Sequence, residues 1–403
     1  MSGPLESFEA AAIRPGHPDF LDLPWQTPLA EWPARTSRLE TMPAGEARHP
    51  IAFVNYGGRV YALKALPPGA AEREYDLLRE MEERRLPVVQ PVGHVAVRAA
   101  GEEGSVLITR FLDHALPYHS LFMQSGLTRY REHLLDALAG LLVQLHLAGV
   151  YWGDCSLFNT LFLRDAGTLR AYLVDAETSE VHEALSDERR RAELEVMEEN
   201  VAGALLDLVA LGTLPASYPA AQTAADIRRR YEDLWREISR EELVAPADRY
   251  RIEERVRALN ALGFSVGEIE LSPAGALLRF RVVVTDRSFH RDLLHSLTGL
   301  EVQEMQARAM MNELHQVRAV RSEVENRSLS LSGAAYFWLE RLFRPVTRRL
   351  LEALGGALEP AELYCQVLEH KWYLSEQARR DVGHDAAADD LIRRAREASS
   401  KSG

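Results

Sequence analysis

Apolar and polar positions change period along this chain, and the changes mark its elements. From Thr128 to Gly149, Leu134, Leu135, Leu138, Leu141, Leu142 and Leu145 form a stripe at helical spacing, and Gly149 supplies a stop suited to a helix C-terminus. A second helical pattern runs from about Ala70 to Arg85, with Leu77, Leu78 and Met81 recurring. Before it, two strand-like runs, Pro50 to Tyr56 and Arg59 to Lys64, flank Gly57-Gly58 and predict a hairpin with a two-residue turn. Ser37 to Met42 predicts an earlier strand. The β-branched run Ser105 to Leu112 predicts a buried one. Leu161 to Arg164 and Leu169 to Val174 predict short strands around Asp165-Ala166-Gly167. Beyond Asp175 the pattern is helical, with Val201, Leu205, Leu206 and Leu208 as a core stripe. Ala220 to Leu262, and Phe289 to about Arg396, also read as helices, with a hairpin between them at Val266–Leu271 and Leu277–Thr285. Residues 1–35, with Pro24-Trp25 and Trp32-Pro33, read as an irregular lead-in, and Pro215 to Pro219 suggests a boundary.

The chain has 403 residues, 46% hydrophobic and 27% charged, with a formal net charge of −13. That balance suits a soluble globular protein of two or three domains and argues against general nucleic-acid binding through a basic surface. Two cysteines, Cys155 and Cys365, are too few for a disulfide framework or a zinc cluster, and a reducing cytoplasm fits best. A signal peptide and a membrane span are not expected.

Candidate chemistry gathers in Tyr151-Trp152-Gly153-Asp154-Cys155-Ser156-Leu157-Phe158-Asn159, directly after the long leucine stripe. Asn159 follows Asp154 by five positions, and Asp175 ends an apolar run sixteen positions later. Phosphoryl transfer needs positioning and charge neutralisation more than covalent help. A carboxylate at 154 can orient a hydroxyl, and an amide oxygen at 159 and a carboxylate at 175 are hard ligands suited to Mg2+. Upstream, Lys64 closes the strand Tyr-Ala-Leu-Lys, and Glu74 lies on the next helix, with Glu72 as its competitor. Singly, each residue also reads as a solvated strand end, a helix-surface acid or a turn former. His146 reads as a core-edge histidine. Glu198, Glu199 and Asp207 read as a solvated helix face, and Arg228-Arg229-Arg230 as a solvated basic cluster. His290, Arg291, His295, Glu301 and Glu304 read as a mixed helix surface rather than a metal site. Trp338, Phe343, Trp372 and Tyr373 read as core or interface anchors.

Taken in order, Lys64, Glu74, Gly153-Asp154-x4-Asn159 and Asp175 resemble the motif set of the protein-kinase-like superfamily. Gly before the Asp looks like its small-molecule branch, such as the aminoglycoside phosphotransferases. More closely, the chain is similar to a largely actinobacterial family with a lipopolysaccharide-kinase-like domain followed by a C-terminal domain of unknown function. Tyr61 to Pro91, Trp152 to Glu177 and Glu301-Val302-Gln303 carry that likeness. The resemblance implies an α+β fold: a bilobal kinase-like domain, with a small antiparallel β-sheet N-lobe and a helical C-lobe, then a mostly α-helical C-terminal domain containing a β-hairpin. The expected boundaries are 36–215 for the kinase-like domain, with lobes at about 36–112 and 113–215, and 220–398 for the C-terminal domain. ATP and Mg2+ are the implied cofactors. Lys64, Gly45, Arg48 and the hinge around Asp113 would bind nucleotide, and Glu74 would position Lys64. Asp154 would orient an unknown hydroxyl acceptor, and Asn159 and Asp175 would bind metal. A homo-oligomer or protein partner would use the C-terminal domain. The sequence departs from protein kinases in having Trp152-Gly153-Asp154 for His-Arg-Asp, Asp175-Ala176-Glu177 for Asp-Phe-Gly, and a phosphate loop reduced to Gly45. A pseudokinase and an AMP transferase are the alternatives.

Overall fold

The computed structural model describes residues 8–41, 49–99, 101–123, 130–245, 250–274, 277–355 and 359–401. They divide into two compact units, Met1–Phe162 with Ala171–Glu232, and Leu163–Arg170 with Asp233–Gly403. The division falls inside the helix that follows Pro219, and not at Pro215–Pro219.

The first unit opens with β1 (Phe8–Ile13), then β2 (Ile51–Tyr56), β3 (Arg59–Leu66), α1 (Ala70–Glu83), β4 (Pro91–Ala99) and β5 (Glu102–Arg110). These strands form an antiparallel sheet in the order β1-β4-β5-β3-β2. The hairpin expected around Gly57-Gly58 is present, with both glycines at positive φ, +61° and +83°. The strand expected from Ser37 reduces to one bridge, Leu39 to Val54.

Residues 8–34 are not an irregular lead-in. Phe8–Ile13 is an edge strand on β4, and Leu29–Ala34 is a 3-10 helix. Phe20, Leu23, Trp25 and Trp32 are buried against Val54, Tyr61, Leu63, Val92 and Ile108. Each indole N–H is satisfied locally, Trp25 on the Phe20 carbonyl at 2.8 Å and Trp32 on the Thr27 carbonyl at 3.0 Å. The segment can therefore bury two large aromatics without stranding a polar group.

Then follow β6 (Leu116–Pro117), α2 (Tyr118–Met123), α3 (Arg131–Leu147), β7 (Val150–Tyr151), β8 (Thr160–Asp165), β9 (Thr168–Leu173), β10 (Glu180–Val181), α4 (Asp187–Ala210) and α5 (Ala220–Ser239). The leucine stripe of α3 is buried throughout, and Leu206 of α4 is exposed. Gly149 ends α3 at φ +76°, and a Cβ there would lie 2.2 Å from the His182 carbonyl oxygen, so only glycine fits. Immediately afterwards β7 pairs with β10, fixing both ends of the segment that runs from Trp152 to Ser179.

The second unit contains β11 (Glu242–Val244), α6 (Tyr250–Ala261), β12 (Ser265–Ala274), β13 (Leu277–Asp286), α7 (Phe289–Thr298), α8 (Glu304–Val324), α9 (Leu331–Trp338), a π turn (Leu339–Phe343), α10 (Arg344–Leu354), α11 (Pro360–Ala378) and α12 (Gly383–Lys401). The expected hairpin is there, joined by β11, a strand the helical reading of 220–262 passed over. Trp338, Phe343 and Tyr364 pack with Met310, Leu314 and Leu350 in the core. Trp372 and Tyr373 stay outside it, 66% and 44% exposed. Among the described residues no helix is long and apolar enough to cross a membrane.

Candidate active site

Lys64 lies on β3 between Ile51 of β2 and Leu107 of β5, with its ammonium directed at α1. Nζ is 3.1 Å from Glu74 Oε2, 2.8 Å from Asp175 Oδ2 and 3.9 Å from Glu177 Oε2. Glu74, and not Glu72, is the partner. It is 1% exposed and also accepts from the Ala176 N–H at 3.0 Å. Burial pushes the Glu74 pKa up, with Lys64 opposing and Asp175 adding to the rise. Burial also works against the Lys64 ammonium, but Glu74 and Asp175 outweigh it and hold its pKa above the ordinary lysine value. The pair is thus unequal: Lys64 stays charged, and Glu74 is the member strained by desolvation.

Trp152 anchors the segment that carries Asp154. Its ring is fully buried and its indole N–H donates to the Asp175 carbonyl at 2.9 Å, while its own carbonyl accepts from Thr178 Oγ1 at 2.9 Å. Gly153 has φ +82°, and a Cβ there would meet the Thr178 carbonyl oxygen at 2.7 Å. That close approach explains why glycine stands where protein kinases carry Arg. Asp154 projects outward, accepting from Asn159 Nδ2 at 3.0 Å on Oδ2 and from Asn200 Nδ2 at 3.0 Å on Oδ1. The Asn159 amide is oriented by donating its N–H to Asp154, which turns its oxygen away from that carboxylate. The Val174 N–H donates to the Asn159 carbonyl at 3.1 Å, so Asn159 and Asp175 sit at the two sides of the base of the β8–β9 hairpin.

Two contributors were missed from sequence, both on α4. Glu193 is fully buried and accepts from the Trp152 and Gly153 N–H groups, each at 2.8 Å, and pairs with His146 Nε2 at 2.8 Å. His146 also contacts the Tyr231 hydroxyl at 2.7 Å, so it is a core residue bracing Glu193. Asn200, seven positions on, reaches Asp154 and the Cys155 carbonyl. A spacing of seven puts both on one helix face. The signal was available: Glu193 falls in phase with the buried Met197, Val201 and Leu205, an unusual place for a carboxylate. Glu198, by contrast, pairs with Arg228 at 2.6 Å, and Arg229 and Arg230 pair with Asp226 and Asp136.

The remaining expected residues stand apart from this cluster or beyond view. Asp113 is exposed and pairs with Arg110 at 2.8 Å. Gly45 and Arg48 lie outside the described residues. In the second unit, Glu304 is buried and accepts from the N–H groups of His290 and Arg291 at 3.0 Å each, so it caps α7. Among the described residues, no set of three or more His, Cys, Asp and Glu side chains is arranged to hold a metal ion. Mg2+ does not require one, since it commonly takes one or two protein ligands and fills the rest with phosphate and water. Lys64 among Glu74, Asp175 and Glu177 leaves an excess of negative charge, and His49 Nε2 near Glu177 Oε2 at 3.3 Å is buried without a hydrogen-bond partner among the described residues. The donor set Asn159 and Asp175 therefore fits a hard divalent cation.

This geometry, a β3 lysine bonded to an α1 glutamate and to Asp175, with Asp154 bonded to Asn159 at the base of the β8–β9 hairpin, belongs to a kinase-like fold. Residues 59–211 match the family described as Lipopolysaccharide kinase (Kdo/WaaP) family, and residues 233–395 match Domain of unknown function (DUF4032). The chain thus carries a stretch similar to the lipopolysaccharide kinase family, followed by a stretch similar to a domain of unknown function. No match was found among curated proteins. Solved structures similar to it include "WaaP in complex with acyl carrier protein", at 16% identity over 62% of this chain and 98% of that one, with a TM-score of 0.37. "Crystal structure of BubR1 kinase domain" matches at 18% identity over 37% and 49%, with a TM-score of 0.29.

Proposed function

We propose that this chain is an ATP- and Mg2+-dependent phosphotransferase acting on a hydroxyl acceptor. Lys64 holds nucleotide phosphates, and Glu74 fixes the direction of its ammonium. Asp154, held on both oxygens by Asn159 and Asn200, orients the acceptor hydroxyl and takes its proton as the acceptor oxygen bonds to the γ-phosphorus. The bond from that phosphorus to the β,γ-bridging oxygen breaks, and ADP leaves. Asn159 and Asp175 would hold Mg2+, which when bound neutralises phosphate charge. The observation that carries this reading is the meeting of Lys64 with both Glu74 and Asp175 within 3.1 Å, beside an Asn159 bonded to Asp154.

A nucleotide-sensing pseudokinase is the second reading, favoured by the phosphate loop reduced to Gly45. Both readings require nucleotide binding. ATP with Mg2+ should raise the thermal midpoint, because a ligand at one hundred times its Kd stabilises by about 2.7 kcal/mol. ATP with EDTA should do so far less. A folded protein whose midpoint does not move at millimolar ATP and Mg2+ contradicts both.

A further inference from the structure

The tip of the β8–β9 hairpin, residues Leu163–Arg170, is part of the second unit. Asp165 is 3% exposed and accepts from the N–H of Gln306, in the first turn of α8, at 2.8 Å. The fully buried Gln306 side chain donates to the Arg164 carbonyl at 3.2 Å and to Glu362 Oε2 at 3.2 Å, and accepts from the Gln303 N–H at 3.0 Å. Glu362, on α11, accepts from the Ala166 N–H at 3.0 Å. Three consecutive tip residues are each held by buried partners on α8 or α11. Burial pushes the Asp165 pKa up to about 6, while the Gln306 and Met305 N–H groups and the Arg170 charge act to keep it ionised. The turn itself is constrained, with Ala166 at φ +51° and Gly167 at φ +80°.

At the other end of the hairpin stand Asn159 and Asp175, on either side of the Val174-to-Asn159 bond that closes its base. Register in a two-stranded ladder is set at the turn, and a slip of one residue sends every side chain to the opposite face. The bonds on Arg164, Asp165 and Ala166 hold the turn of this ladder, and Asn159 and Asp175 flank its base. We infer that Asp165, together with Gln306 and Glu362, is a positioning group for the cation-binding end of the kinase-like site. The hairpin tip held in the second unit thereby supports the end of the same hairpin that carries the assigned ligands, Asn159 and Asp175. This rests on the functional reading above and assigns the second unit a part in it.

The test uses the full-length chain with ADP held constant and Mg2+ titrated, following the ligand-induced thermal shift, beside midpoints measured in EDTA. Asp165→Ala and Glu362→Ala should each raise the Mg2+ concentration at half-effect by about tenfold, as loss of an outer-shell support does. Asp165→Asn keeps a carbonyl oxygen for the Gln306 N–H and should stay close to wild type. A lower midpoint in EDTA with an unchanged Mg2+ requirement means the clamp only stabilises the fold, and overturns the inference. If Asp165→Ala does not fold, Glu362→Ala decides by the same two readouts. A wild-type chain with no Mg2+-dependent response to nucleotide defeats the functional reading and this inference with it, whereas a responsive wild type with unaltered variants defeats this inference alone.

Discussion

Replacing Asp154 with Asn should lower phosphoryl transfer by about 10²- to 10⁴-fold, the usual contribution of a positioned general base, while MgATP-dependent stabilisation persists. The side chain keeps its size, so Trp152, Gly153 and the hairpin base are undisturbed. Its chemistry changes in two ways. The amide cannot take a proton from the acceptor, and its NH2 must face one of two donors, Asn159 Nδ2 or Asn200 Nδ2, that now meet carboxylate oxygens. The second effect turns one amide aside, so a modest fall in thermal midpoint should accompany the loss of turnover. Turnover in Asp154→Asn equal to wild type, by the same assay on the same preparation, would remove Asp154 from the chemistry.

Glu193→Ala should be strongly destabilising, by about 3 kcal/mol or more in urea denaturation, since each buried polar group left without its partner costs about 1–3 kcal/mol. It removes the acceptor of the buried Trp152 N–H and of the half-buried Gly153 N–H, and the carboxylate that contacts His146 Nε2. Glu193→Gln retains one carbonyl oxygen and should lose markedly less. Because the same carboxylate holds the backbone just before Asp154, both variants should also lose turnover out of proportion to their unfolded fraction at assay temperature. A loss below about 1 kcal/mol for Glu193→Ala, the net value of an ordinary hydrogen bond, would show that water or another side chain replaces it.

The grouping of Lys64 with Glu74 and Asp175, and of Asp154 with Asn159, was legible in sequence because each stands at or near the end of a strongly patterned element. The Gly-Gly hairpin, the leucine helix and the apolar pair around Asp165-Ala166-Gly167 leave little choice of register. Glu193 and Asn200 were hidden in Glu-Leu-Glu-Val-Met-Glu-Glu-Asn, where phase with Met197, Val201 and Leu205 is all that separates Glu193 from the neighbouring carboxylates. Residues 8–34 were hidden for a different reason. Their alanine-rich edge strand has a weak pattern, and Phe20, Trp25 and Trp32 reach the sheet from loops and a 3-10 turn, with no period to read. The point where the compact units divide was not legible, because Ala220–Ser239 is one helix, with Ala224, Ile227 and Tyr231 buried, that passes into the second unit at Asp233 with no break in pattern. No local pattern could have shown that three hydrogen bonds tie the tip of the β8–β9 hairpin to α8 and α11, since the residues concerned lie far apart in sequence.

The most direct measurement is transfer of label from ATP, carried at the γ-phosphate in one reaction and the α-phosphate in a parallel one, with cell lysate or metabolite pools as acceptors. Phosphoryl transfer requires γ-label on an acceptor, dependent on Mg2+ and lost in Asp154→Asn, with no α-label there. Label from the α-phosphate on the acceptor would mean AMP transfer. No transfer of either label by a protein that binds MgATP would mean a nucleotide-sensing pseudokinase, and either result contradicts the phosphotransferase proposed here.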